Sequence, residues 1–242
     1  PWFEFRDGPE LHTVWYEDDR SYREKLRLVW RNRLGGFAEL LERSARDPAW
    51  FTDALLRYLD IRFQSRGPAW PRWCVGGMLN IVTSCLDKHL DGPAAARAAV
   101  LYESEEGLTQ SLSYAELAAQ VGRAANGLRA LGLGRGDVIG LFMPMTPEIV
   151  VAMLAVAKIG GVILPLFSGF GAGAVATRLA DGDARLLFTA DGMPRRGRSV
   201  PLKPVADEAA RRVPSLRHMI VVRRTGDPVS MQAGRDRWWQ DW

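Results

Sequence analysis

The sequence predicts an α/β fold, a mostly parallel sheet flanked by helices, with a helical N-terminal extension ahead of it. Three observations predict it. Val138–Leu166 reads as a strand, a proline-started helix and a second strand, which makes a right-handed parallel βαβ unit when the strands share a sheet. Helical and strand-like segments keep alternating from there to Val222, as in open sheets covered on both faces. The first 70 residues lack that alternation and are instead charged, tryptophan-rich and helical in period.

Each element follows from its residues. Helical spacing runs through Tyr22–Ala45 and again through Pro48–Ile61, where Asp47-Pro48 starts the second helix because proline suits a first helical turn. Gln64–Arg72 (QSRGPAWPR) has a glycine, two prolines and no period, which predicts a linker and a boundary near residue 70. Gly76-Gly77 predicts a turn, then a helix from about Leu79 with Leu79, Val82, Leu86 and Leu90 on one face. Ala99–Tyr102 and Thr109–Leu112 predict a hairpin around Glu105-Glu106-Gly107.

Ser113 and Glu116 form an S-x-x-E capping box for a helix through Leu131, its apolar stripe being Leu117, Val121, Ala124, Ala125 and Leu128. Gly132 and Gly134 stop it. Val138–Met143 is a buried strand by composition. Thr146 is expected to cap the next helix, with Pro147 at its first position and Glu148 complementing the helix dipole. Gly160-Gly161 ends that helix and Val162–Leu166 returns as a strand. A helix about Ala172–Leu179, a strand Ala184–Thr189, a helix about Val205–Val213 and a strand His218–Val222 complete the series.

Composition narrows the function classes. Apolar content of 47% and charged content of 25% in 242 residues are ordinary for a globular protein. Lys158 and Gly160-Gly161 interrupt Ile149–Leu166, the stretch nearest to a membrane span, so no membrane partner is expected. No basic leader followed by an apolar core stands at Pro1, so no secretory signal is expected there, although the chain opens on proline rather than methionine. Cys74 and Cys85 are lone thiols, as suits a reduced cytoplasm, and His12, His89 and His218 are scattered, so no metal site is expected. From Met193 onward eleven Lys/Arg face five Asp/Glu, a net +6 within an overall +4. That basic portion points to an anionic partner. Nucleic acid is disfavoured, because the arginines come in short groups between apolar strands and carry no recognition motif.

Two segments are candidates for chemistry. Phe167-Ser168-Gly169-Phe170-Gly171 follows a strand and precedes a helix, where open α/β sheets bind ligands and a helix N-terminus favours anions. Taken alone, the loop is read more economically as a tight turn that needs glycine. Arg195-Arg196-Gly197-Arg198 places three guanidiniums within four residues, suited to bidentate phosphate contact, and a solvated basic turn is the equal alternative. Both segments follow strand C-termini and should share one edge of the sheet, which favours a phosphate-bearing ligand. Arg223-Arg224 extends the same rim or lies on the surface. No nucleophile elbow, Walker loop or dinucleotide fingerprint is present. Glu148 and Asp181 are expected to cap or solvate helices, and Trp238, Trp239 and Trp242 to pack in a core or interface.

GGMLNIVTSCLDKHL, then the stretch from SLSYAEL through VIGLFMPMTPEIVVAMLAVAKIGGVILPLFSGFG, and DGMPRRGRSVPLKPVADEA resemble the N-terminal portion of acyl-CoA synthetases. The nearest branch is the acetyl-CoA-synthetase-like one, within the AMP-binding, adenylate-forming superfamily. The resemblance covers roughly residues 37–242, and SARDPAWFTDALLRYLD looks more loosely like that branch's N-terminal extension. It implies an extension over residues 1–70 and an incomplete AMP-binding domain over 71–242.

The resemblance further implies an acid–thiol ligase. Such enzymes activate a carboxylic acid, here a short one such as acetate, with ATP and Mg2+ to an acyl-adenylate, which coenzyme A then attacks. It implies that Arg195 and Arg198, with Arg196 and Gly197 between them, contact the nucleotide part of coenzyme A. It also sets Phe167, Ser168 and Gly169 along the coenzyme A path. The family's Ser/Thr/Gly phosphate loop, magnesium-binding glutamate, ribose-binding aspartate and adenylation lysine have no counterpart here. The sequence therefore implies a fragment, a broken reading frame or one piece of a split enzyme completed by a companion chain, inactive alone. A non-catalytic module that keeps coenzyme A or nucleotide binding, or that associates with a companion chain, is the alternative.

Overall fold

The structure, a computed structural model, describes residues 2–7, 10–15, 27, 29, 37–65 and 74–242. It divides into two units, Pro1–Leu79 and Asn80–Trp242.

In the first unit, strands β1 (Trp2–Asp7) and β2 (Glu10–Trp15) pair antiparallel, which the sequence reading does not anticipate. Two helices follow, α1 (Phe37–Arg46) and α2 (Pro48–Tyr58). Asp47 caps α2 as its residue type predicts, its Oδ1 accepting the Trp50 amide at 2.9 Å. Val29 and Leu40 are buried, packed by Trp50, Phe51, Leu55 and Tyr58. The helix expected over Tyr22–Ala45 lies largely outside the described residues before Phe37. So does most of the Gln64–Arg72 linker.

The second unit holds the predicted α/β core. The helix expected from Leu79 is corrected: Asn80 caps a five-residue α3 (Ile81–Cys85), which breaks into a short 3-10 turn at Asp87–His89. Val82 and Leu86 are buried as expected, but Leu79 is 48% exposed. Asn80 is drawn away from a longer helical stripe because its Nδ2 bonds the carbonyls of Ala157 and Lys158 at 3.0 and 3.2 Å. β3 (Ala98–Glu103) and β4 (Thr109–Ser113) form the expected hairpin. The capping box at Ser113 and Glu116 is complete and starts α4 (Tyr114–Ala130). It also holds the Glu116 carboxyl below its ordinary range, through the Ser113 amide and hydroxyl.

A five-stranded sheet follows, built from β5 (Val138–Phe142), β6 (Val162–Pro165), β7 (Leu186–Ala190), β10 (His218–Val222) and β11 (Asp236–Trp238). Its order is β11-β10-β7-β5-β6 and every pairing is parallel. Helices α5 (Pro147–Lys158), α6 (Ala172–Asp181) and α7 (Lys203–Ala210) make the crossovers, and β8 (Gly192–Arg195) with β9 (Arg198–Pro201) forms an inserted hairpin. β7 is buried at every position and β10 at all but His218, as the two-sided burial of a parallel sheet requires. Trp239 and Trp242 pack edge-on against Phe188, each 5.8 Å between ring centroids, so the terminal tryptophans belong to this core. No helix among the described residues is long and apolar enough to cross a membrane.

Candidate functional site

Strand order fixes where a ligand can sit. β5 connects to β6 on one side and leads on to β7 on the other, so the switch point lies between the C-terminal ends of β5 and β7. A cleft of about 250 Å³ opens there. Pro144, Met145 and Thr146 follow β5, Ser168 follows β6, Met193, Pro194 and Arg195 follow β7, and Arg224 follows β10. The β3–β4 hairpin supplies the remaining wall from Tyr102 to Glu106. A second cleft of about 730 Å³ lies beside it, lined by Arg196, Gly197, Arg198, Ser199 and Thr225. Pro194, Glu105, Glu106 and Arg224 border both.

The structure thus brings Ser168 and Arg195 into one cleft and sets Arg196, Gly197 and Arg198 in the adjoining one. Phe167 and Gly169 line neither. Phe167 is 61% exposed and packs edge-on against Phe170 at 5.6 Å, itself covered by the Arg178 guanidinium at 4.3 Å. A Cβ on Gly169 would meet the Phe167 ring at 2.5 Å, so this glycine serves close packing.

The arginine turn is the tip of the β8–β9 hairpin. Arg196 and Gly197 have φ of +51° and +73°, the arrangement of a primed hairpin turn. Glycine accepts that conformation freely, whereas arginine is strained in it. The Arg196 amide donates to Glu105 Oε2 at 2.9 Å, which anchors the strained residue to the β3–β4 tip.

Asp191, directly after β7, shapes the edge from below. It is 1% exposed. Its Oδ1 accepts the amides of Gly192, Arg224 and Thr225 at 2.8, 2.8 and 3.0 Å, and its Oδ2 that of Gly226 at 2.8 Å. One buried carboxylate therefore curls the segment after β10 and turns Arg224 toward the clefts. Arg224 Nη2 donates to Glu106 Oε2 at 2.7 Å and to the Tyr102 hydroxyl at 3.4 Å. The Arg224 hydrogen bond, with help from Ser104, holds the Glu106 carboxyl below its usual range. Burial would depress the Arg224 guanidinium, but Glu106 and Tyr102 outweigh it and raise its pKa. Arg223, by contrast, stacks over Trp238 at 4.2 Å. Asp227 accepts the Ser199 hydroxyl and that of Thr225, which hold it low and tie the same segment to β9.

Thr146 departs from expectation. It has the extended backbone of a helix cap, yet its side chain makes no capping bond, and its hydroxyl is buried without a partner. The cleft itself sets the guanidiniums of Arg195 and Arg224 and the Ser168 hydroxyl beside the carboxylates of Glu103, Glu105 and Glu106, a lining built for an ionic, hydrogen-bonding ligand. Among the described residues no group of three or more His, Cys, Asp or Glu stands close enough together to hold a metal ion. Sequence reasoning missed Glu105, Glu106, Tyr102 and Asp191, since their partners lie 33 to 122 residues away along the chain or are amides that carry no residue signature.

The chain is 43% identical over 174 residues to the acetyl-coenzyme A synthetase of Streptomyces coelicolor, covering 72% of this chain and 27% of that protein. It is 41% identical over 210 residues to the acetyl-coenzyme A synthetase of Streptomyces avermitilis, covering 87% of this chain and 31% of that protein. Among solved structures, acetoacetyl-CoA synthetase from Streptomyces lividans superposes with a TM-score of 0.82 at 28% identity, over 94% of this chain and 37% of that one. The chain therefore spans about a third or less of the relatives it matches. The AMP-binding enzyme family matches residues 86–241, and this chain belongs to it.

Proposed function

We propose that the chain is the N-terminal part of an acid–thiol ligase, converting a carboxylic acid, ATP and coenzyme A to acyl-CoA, AMP and pyrophosphate through an acyl-adenylate. A short acid such as acetate is the favoured substrate, on the strength of what the relatives are named for. The observation that carries the reading is the convergence of Ser168, Arg195 and Arg224 in one cleft at the C-terminal edge of a parallel sheet. In a member of the AMP-binding family, that cleft suits the phosphates of coenzyme A. Arg198, Arg196 and Gly197 on the adjoining cleft would meet the rest of its nucleotide, with Phe167 and Gly169 at the margin of the path.

In this reading residues 1–70 form the N-terminal extension and 71–242 an incomplete AMP-binding domain, working in a reducing cytoplasm. The described residues offer no cluster fit for Mg2+, so no step is assigned to that ion here. ATP handling is assigned to parts of the relatives beyond the matched third, or to a companion chain. These 242 residues should then bind coenzyme A without turning over. A pyrophosphate-release assay with ATP, acetate and coenzyme A tests it: no release is expected, and sustained release by this chain alone would overturn the division of labour.

A further inference from the structure

The wall between the two clefts is built from charge. Glu105 and Glu106 stand at the tip of the β3–β4 hairpin and line both clefts together with Arg224. Glu106 neutralises Arg224 at 2.7 Å, and Glu105 takes the Arg196 amide at 2.9 Å. These are two of the groups that an entering phosphate would use. The tip itself is solvent-exposed from Glu105 to Leu108. Its turn is held from within, Ser104 Oγ accepting the amides of Glu106 and Leu108 at 3.2 and 3.1 Å. The two carboxylates can therefore leave the arginines without unfolding the hairpin.

We propose that Glu105 and Glu106 form a removable acidic partition, an internal stand-in for ligand phosphate that must yield Arg224 and the Arg196 amide before a polyanion can span both clefts. This rests on the reading of the clefts as a polyanion site. Glu106 keeps Arg224 aligned and compensated in the free protein, Glu105 occupies the Arg196 amide, and together they set a threshold. A ligand carrying several phosphates along its length replaces both carboxylates, whereas a single phosphate replaces one and meets repulsion from the other. The partition thus acts on affinity and on discrimination between long and short anions, as a positioning and specificity element that takes no part in bond making.

The test is calorimetric titration of the 242-residue chain and of Glu106→Gln, Glu105→Gln/Glu106→Gln and Arg224→Gln, with coenzyme A, tripolyphosphate and inorganic phosphate. Glu106→Gln should tighten tripolyphosphate and coenzyme A roughly threefold to fivefold, the span that one part-exposed ion pair supports. The double variant should gain more, and should lose discrimination against inorganic phosphate. Arg224→Gln should weaken binding and abolish the gain when combined with Glu106→Gln. Unchanged or weaker binding in Glu106→Gln, with an unaltered melting temperature, overturns the partition and leaves Glu106 only a support for Arg224. If the gain appears while coenzyme A binds no better than tripolyphosphate, the partition stands and the coenzyme A reading falls. If neither probe binds any variant, both fall.

Discussion

Lys203 Nζ lies 2.9 Å from Asp236 Oδ2, with the two side chains 1% and 0% exposed, and this buried pair fastens α7 to the edge strand β11. Asp207 and the Ser230 carbonyl complete the ammonium's shell at 2.7 and 2.8 Å, and Arg235 binds both aspartates. Burial opposes ionisation of Asp236, but Arg235, the Gln232 amide and Lys203 outweigh it and hold the carboxyl low. Two cations and two anions leave the cluster neutral. Removing one partner strands a charge: Lys203→Met should cost about 3–5 kcal/mol by denaturant unfolding. Lys203→Met/Asp236→Leu should recover a good part of it, since an apolar pair leaves no unpaired ion.

Asp191 predicts a different signature. Asp191→Asn keeps the shape but removes the charge and puts a donor where an amide N–H now points. A loss of about 2–3 kcal/mol is expected, the scale of charged hydrogen bonds. Hydrogen exchange should quicken at the Arg224, Thr225 and Gly226 amides well before the β5 strand responds. Uniform quickening would contradict a local hub.

The strained turn residue is tested by improving it. Arg196→Asn suits a positive φ at the first central position and should hold or raise stability by up to about 1 kcal/mol. Gly197→Val, forced to φ of +73°, should lower it by about 1–2 kcal/mol. Thermal melting checks both, and a reversed order would refute the turn assignment.

His218 gives the pH dependence. Burial first, then the positive charges of Arg237 and Arg217, lower its pKa from the ordinary 6.5. The folded state therefore favours the neutral ring, while the unfolded chain takes up a proton near the ordinary value. Stability is full above that value and falls as pH drops toward the lower folded one. The melting temperature should decline as pH falls through and below the ordinary histidine range, and His218→Gln should flatten that decline. The depressed carboxylates Glu106, Asp227 and Asp236 act in the same direction at lower pH, below the ordinary carboxylate range.

What could be read from the sequence was local or periodic. Ser113 and Glu116 sit three apart and cap one another, Asp47-Pro48 starts a helix by the chemistry of its own residues, and His218–Val222 is apolar enough to be a buried strand. What escaped was long-range. Lys203 looks like an ordinary surface lysine at a helix start, and only Asp207 four residues on hints at pairing, while Asp236 lies 33 positions away. The Glu105 contact to Arg196 spans 91 positions, and β11 is three residues long with mixed polarity. The Arg195–Arg198 turn reads as cationic from its residues alone, but its splitting across two clefts depends on the hairpin geometry that its own φ angles impose.

The central claim is that the cleft holding Ser168 and Arg195 receives coenzyme A. The most direct measurement is the dissociation constant of coenzyme A for this chain and for Arg195→Ala/Arg198→Ala. Loss of phosphate contacts should weaken binding about tenfold or more with the fold intact. Equal affinity in the two proteins would contradict the account and remove the arginine turn from the site.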